Sequence, residues 1–400
     1  MKIRVLLAFI AITFIQLPSS FAETLPTKAL DVCATEKSVN CIESVRATFP
    51  DGRTLSAERT GRTSNVTCNV SGALQSTCIF IEWEVKGLLN EDGRNLIQTT
   101  GWFQPPNSGP SNDLPPGGLL FFVSASGWDG KTQNVSTGVC AAGNPNNFNC
   151  RRSSFLQQAV KFAVSIRTKD FTPAWTTGTL INFDVNYRKY PSYTLLTYSG
   201  EAGDTAGLIR NWNSDGSAPE QNDYESYLWS IRTINIDDYW AQPVRAHGCY
   251  STNPVMMTNS LWVGLPKFDP ESQSIELSVS NPHLLSNGTV AIGRFESNFP
   301  AAFTECFWGK TPKEVGNRVQ LEISYPDAVS NLATLATQVD EGTLKISASG
   351  YHYSSPTLKL SLQKSVPSPI PAKLLKCAKG KQIKIVKVSK CPAGYKTISK

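Results

Sequence analysis

Histidine and methionine are scarce, with three of each in 400 residues. That supply is thin for a metalloenzyme. Neither C-x-x-C nor a histidine pair at ligand spacing occurs, which removes the usual structural zinc sites. Charged residues make up only 18% of the chain, below the usual ~25%, so a coiled coil is excluded. The 40% hydrophobic content excludes a disordered chain. Past the N-terminus, no run reaches the ~18 apolar residues that a membrane-spanning helix needs. There is no G-x-S-x-G, no H-E-x-x-H and no S-x-x-K in an active-site context. A phosphate loop is approached at Gly130-Lys131-Thr132, but Ala125 stands where its first glycine must be. The imidazoles are His247, His283 and His352. No catalytic residue and no cofactor is nominated.

What is present points outward from the cell. Lys2 and Arg4 precede the apolar run Val5 to Ile15, and Ser20-Phe21-Ala22 fits a small-x-small cleavage site. A signal peptide over 1–22 is expected, cut after Ala22. Ten cysteines, an even number, suit an oxidising compartment. Nearest-neighbour pairing would bridge Cys33 to Cys41, Cys68 to Cys78, Cys140 to Cys150, Cys249 to Cys306 and Cys377 to Cys391. Five such bridges leave no free thiol as a nucleophile.

Alternation of period two recurs along the chain. Val160, Phe162, Val164 and Ile166 alternate with Lys161, Ala163, Ser165 and Arg167. The same pattern appears at Ile181 to Tyr187, Ile275 to Val279, Val319 to Ile323, Leu344 to Ile346 and Leu358 to Leu362. Each segment reads as an antiparallel strand with one apolar face. Turn signals separate them at Pro50-Asp51-Gly52, Glu91-Asp92-Gly93, Asp129-Gly130, Asn287-Gly288 and Glu341-Gly342. Only Asp327 to Gln338 has the Ala and Leu content of a helix. The fold expected is all-β: two disulfide-bonded antiparallel β-sandwich-like domains plus a small C-terminal tail module. The boundaries are a first domain over 30–200, a loop or linker over 201–225, a second domain over 227–364, a Pro-rich linker over 366–371 and the tail over 372–400.

Charge is unevenly spread. The net charge is +6, and removing Lys2 and Arg4 leaves +4. The tail from Lys373 to Lys400 holds nine lysines and no acid, so 23–372 carries about −5. Such a tail should be drawn to polyanions, and Lys379, Lys381, Lys384, Lys387 and Lys390 are its candidate contacts. The acidic body, and a tail with Tyr395 as its one aromatic, argue against nucleic acid.

Three weaker constellations remain. Trp128, Trp212 and Trp240 are candidate glycan platforms, Trp128 because Gly127-Trp128-Asp129-Gly130 reads as a hairpin tip. Trp83 and Trp262 sit in strand patterns and read as core. Asn211, Asn213 and Asp215, followed by Gly216, look like the start of a calcium loop. The twelfth position is Asn222 and not the bidentate Glu, so a plain Asx-rich turn explains them as well. Asp237-Asp238, downstream of Glu220, Asp223 and Glu225, is the cluster on which a carboxylate-dependent glycoside hydrolase would rest.

The order Cys249, Trp262, Cys306 resembles that of immunoglobulin domains, although Thr304 replaces the tyrosine expected before the second cysteine. The stretch from Cys377-Ala378-Lys379-Gly380-Lys381 to Lys390-Cys391-Pro392-Ala393-Gly394-Tyr395-Lys396 resembles the Lys-rich two-Cys tail of an uncharacterised group of secreted actinobacterial β-domain proteins. Tyr353 to Leu360 is similar to their closing strand, and Cys33 to Val45 to their beginning. The resemblance implies export and surface residence and supplies no catalytic residues. The reading is an exported, non-enzymatic cell-surface or extracellular protein without a membrane span, whose tail meets an anionic cell-wall polymer. A carbohydrate-binding protein is the first alternative and a glycoside hydrolase the second.

Overall fold

The structure is a computed structural model. It describes residues 28–71, 74–104, 120–128, 156–169, 173, 175–203, 229–233, 249, 254–262, 266–269, 271–280, 284, 289–325, 328–330, 334–352, 356–363, 374–380, 382–387 and 393–397. The side chains of 66–76, 104, 120, 175, 232–233, 261, 328–330, 374–375, 385–387 and 397 lie outside the description.

Strands dominate. The first eight are β1 (Lys28–Ala29), β2 (Asp31–Val32), β3 (Cys41–Thr48), β4 (Thr54–Ser56), β5 (Glu58–Ser71), β6 (Leu74–Glu84), β7 (Leu96–Gln104) and β8 (Leu120–Gly127). Next come β9 (Lys161–Thr168), β10 (Trp175–Gly178), β11 (Leu180–Lys189), β12 (Thr194–Ala202), β13 (Trp229–Thr233) and β14 (Val255–Thr258). Then follow β15 (Leu261–Trp262), β16 (Lys267–Asp269), β17 (Ser274–Ser280), β18 (Ile292–Pro300), β19 (Val319–Tyr325) and β20 (Ala328–Ser330). The last are β21 (Thr334–Asp340), β22 (Thr343–His352), β23 (Thr357–Leu362), β24 (Leu374–Lys379), β25 (Gln382–Lys387) and β26 (Lys396–Thr397). Two short helices, α1 (Ala301–Trp308) and α2 (Pro312–Gly316), separate β18 from β19.

The protein is all-β, with two disulfide-bonded sandwich-like units and a small C-terminal module. The largest sheet runs β21-β22-β18-β14-β10-β13-β8-β7-β6-β5, with β1 beside β7. A second sheet, β11-β12-β9-β3-β2 with β4, closes the first core over β6, β7, β8 and β13. A third, β15-β17-β23-β19-β20 with β16, closes the second core over β18 and β22. The alternation read from the sequence is what fills these cores: Phe162, Val164 and Ile166 in one, Ile275, Leu277, Leu358 and Leu360 in the other. Trp83 is core, as expected.

The large sheet belongs to both units. Strand β13 lies between β8 and β10, and β10 pairs in parallel with β14. Strand β14 is buried on both faces: Val255 and Met257 enter the first core, and Met256 between them enters the second. The expected linker at 201–225 thus begins inside β12, and the strand that follows it, β13, returns to the large sheet between β8 and β10.

Two expectations are corrected. Asp327 to Gln338 is not a helix; its described parts are β20 and β21. Glu341 (φ 45) and Gly342 (φ 77) form a two-residue turn of type I′. That turn folds β21 onto β22 in the register Asp340↔Thr343 to Thr334↔Ser349, overriding local propensity. Secondly, the Cys249–Cys306 bridge does not join two facing strands as in an immunoglobulin domain, because Cys306 lies in α1. Trp262 is half-buried against the second core and donates its indole N–H to the Thr176 carbonyl at 2.8 Å.

Candidate functional site

The C-terminal module is a three-stranded sheet in the order β25-β24-β26. Gly380 (φ 59) follows β24, and Lys379 stands opposite Gln382 of β25. Cys377 is buried and disulfide-bonded; Cys391, its expected partner, lies outside the described residues. With so small a sheet, a covalent staple replaces the missing core.

Four described lysine side chains project from this sheet. Lys376, Lys379, Lys384 and Lys396 are all exposed. The register sets Lys384 opposite Cys377, and Lys396 opposite Ala378. Tyr395 pins one side of the module. Its ring centroid lies 5.5 Å from the Lys384 Nζ, and its hydroxyl donates to Gln382 Oε1 at 3.3 Å. Gly394 (φ 84) turns the chain under the Lys379 side chain, whose Nζ is 3.4 Å from where a Cβ would stand. Of the lysines nominated from the sequence, Lys379 and Lys384 are thus exposed. Lys387 belongs to β25, while Lys381 and Lys390 lie outside the described residues. Lys376 and Lys396 were not nominated, although the acid-free composition of the tail was the signal for them.

Trp128 sits at the end of β8. It is half-buried, and its indole N–H donates to Glu82 Oε2 at 2.7 Å. Arg62 Nε lies 2.9 Å from the other oxygen of the same buried carboxylate. Its polar edge is therefore engaged within the protein. Trp212, Trp240, Asn211, Asn213, Asp215 and Asp237-Asp238 lie outside the described residues.

Two bridges have both partners described: Cys33–Cys41, with Cα atoms 5.1 Å apart, and Cys249–Cys306, at 5.8 Å. Cys78 is also disulfide-bonded. The side chain of Cys68, and all of Cys140 and Cys150, lie outside the description. Arg167 braces the first bridge's loop by donating to the carbonyls of Thr35 and Glu36 and to Glu43 Oε1.

A buried charged cluster that the sequence reading missed joins the two units. On β18, Arg294, Glu296 and Asn298 share one face, directed at β11, the edge strand of the second sheet. Arg294 Nε donates to the Phe183 carbonyl at 2.6 Å. Glu296 Oε2 accepts from the Val185 N–H at 2.7 Å, and Asn298 Nδ2 donates to the Val185 carbonyl at 3.1 Å. Arg294 also pairs with Glu296, and Lys345 of β22 pairs with both Glu296 and Asp184. Burial pushes the Glu296 carboxyl above its usual range, against the pull of Lys345. The available signal was polar residues at period two opposite Phe295 and Phe299.

Among the described residues no group of three or more His, Cys, Asp or Glu is arranged to hold a metal ion. No helix there is long and apolar enough to cross a membrane. Comparison with protein-family models, curated proteins and solved structures found no match.

Proposed function

We propose that this is an exported, non-enzymatic protein of the cell surface or extracellular space, held by its basic C-terminal module to an anionic cell-wall polymer. The observation that carries the reading is the exposure of Lys376, Lys379, Lys384 and Lys396 on one small disulfide-bonded sheet. The module draws on nine lysines and no acid over 373–400, against about −5 for the rest of the mature chain. A stapled sheet fixes the spacing of those charges, so less side-chain and backbone entropy is lost when a polyanion binds. The signal-peptide pattern and the disulfide bonds support export. Kinship with the secreted actinobacterial proteins that both ends resemble belongs to the same proposal.

The test is retention on isolated cell walls. The full chain should bind at low salt and be released as salt rises, because screening shortens the reach of each charge to about 8 Å at physiological ionic strength. A chain truncated after Lys364 should stay in the supernatant while keeping the melting temperature of the body. Equal retention of both chains at low and high salt overturns the proposal.

A further inference from the structure

Two long sheet edges in the described residues are guarded. The β11 edge is capped at Phe183 and Val185 by Arg294, Glu296 and Asn298. At the other end of the large sheet, β5 carries Glu58, Arg59 and Arg62. Strand β21, the opposite edge of that sheet, has seven residues, Thr-Leu-Ala-Thr-Gln-Val-Asp, with no lysine, arginine or proline. All but Leu335 are exposed, and Val339 retains 44% of its surface. Unprotected edges of this kind are templates for strand addition. The segment also has helix-like composition yet is held as a strand, a conflict between local and global preference that is expected where a surface has a task.

The turn decides which backbone groups point outward. In a type I′ hairpin the residues flanking the turn, Asp340 and Thr343, form a hydrogen-bonded pair. Alternation then directs the N–H and C=O of Thr334, Ala336, Gln338 and Asp340 to β22. Those of Leu335, Thr337 and Val339 face outward, and they have no partner among the described residues.

We propose that β21 pairs antiparallel with β21 of a second copy of this chain, about a two-fold axis through Thr337. The strand is self-complementary in that arrangement. Thr337 faces Thr337, and Leu335 of each copy faces Val339 of the other, covering the exposed Val339. Ala336 faces Gln338, and Asp340 faces Thr334, so no like charges meet. Three outward residues from each copy exchange six hydrogen bonds, and the large sheet continues through the dimer. The interface is isologous and closes on itself, which ends the growth an open edge would otherwise allow.

The mature protein, tail included, is tested by sedimentation equilibrium or light scattering over a broad concentration range. Its mass should double as concentration rises. Thr337→Pro removes an N–H that points away from β22, and proline is tolerated at such edge positions; this variant should stay monomeric. Thr337→Lys sets two cations against each other on the axis and should also be monomeric, as should Thr337→Asp. An equimolar mixture of the Lys and Asp variants should recover the dimer, which rules out misfolding as the cause. A wild-type chain that stays monomeric throughout overturns the proposal, as does a dimer that survives Thr337→Pro.

Discussion

Glu296 stands in for a neighbouring strand at Val185: its Oε2 accepts the Val185 N–H at 2.7 Å, where a sheet would supply a carbonyl. Asn298, two residues on, completes the substitution by donating to the Val185 carbonyl. The two units are therefore fastened through side chains of one and backbone of the other. A buried backbone group left unpaired costs about as much as a lost hydrogen bond, so the joint tolerates little change.

Removing the carboxylate should show this. Glu296→Ala leaves Val185 N–H without its acceptor and Arg294 and Lys345 without their shared anion. Breaking a buried pair from one side costs about 3–5 kcal/mol. Denaturant unfolding of the purified body should report a loss of that size.

The pH dependence has a defined sign. Burial raises the folded-state pKa of Glu296 above 4.5, so just above that pH the native state binds more protons at this site than the unfolded chain. Its contribution to stability falls as pH rises through the folded pKa. In Glu296→Gln the site is neutral at every pH. The wild type should therefore gain melting temperature relative to Glu296→Gln as pH is lowered from 7 towards 4.5. A difference that is flat with pH would remove the buried charge from the account.

Trp128 gives a third expectation. Trp128→Phe keeps a ring but removes the N–H that Glu82 Oε2 accepts. Glu82 is buried, and the loss should be about 1–3 kcal/mol. Chemical denaturation of the variant measures it.

The two described bridges should differ in effect. Chain-entropy reasoning gives about 4 kcal/mol for Cys249–Cys306 and about 2.5 kcal/mol for Cys33–Cys41, their sequence separations being 57 and 8. Replacing each pair by alanine should lower the melting temperature in that order.

Gly293 offers a steric test. A Cβ there would fall 2.0 Å from Cε2 of the buried Tyr351. The ring is buried, and overpacking of this kind costs typically about 1–3 kcal/mol. Gly293→Ala should lower the melting temperature, read by differential scanning calorimetry.

Much of the local structure was legible because it has a short period. Phe162, Val164 and Ile166 are buried as their alternation requires, and the turn signals at Asp51-Gly52, Asp92-Gly93 and Glu341-Gly342 do fall between consecutive strands. What escaped depends on distant partners. Val255-Met256-Met257-Thr258 shows no alternation because both faces are buried. Trp128 meets Glu82 across 46 residues, and Glu296 meets Val185 across 111. The helices were missed for another reason: α2 is announced by its capping box, Thr311 with Glu314 and proline at the first turn, a signal small enough to be lost among turns. In the tail, composition alone sufficed to expect lysines at the surface, as Lys379 and Lys384 are.

The position of β13 bears on how the chain assembles. With residues 229–233 seated between β8 and β10, the first 200 residues leave a strand-wide gap in the middle of their own sheet. A chain emerging from its N-terminus holds that gap open until β13 arrives, and β10 then waits for β14. The largest sheet is thus completed at its centre rather than extended at its rim. During that interval an identical β13 from a neighbouring chain competes with the chain's own tethered strand for the gap, and only at high protein concentration does strand exchange between copies become the hazard of refolding.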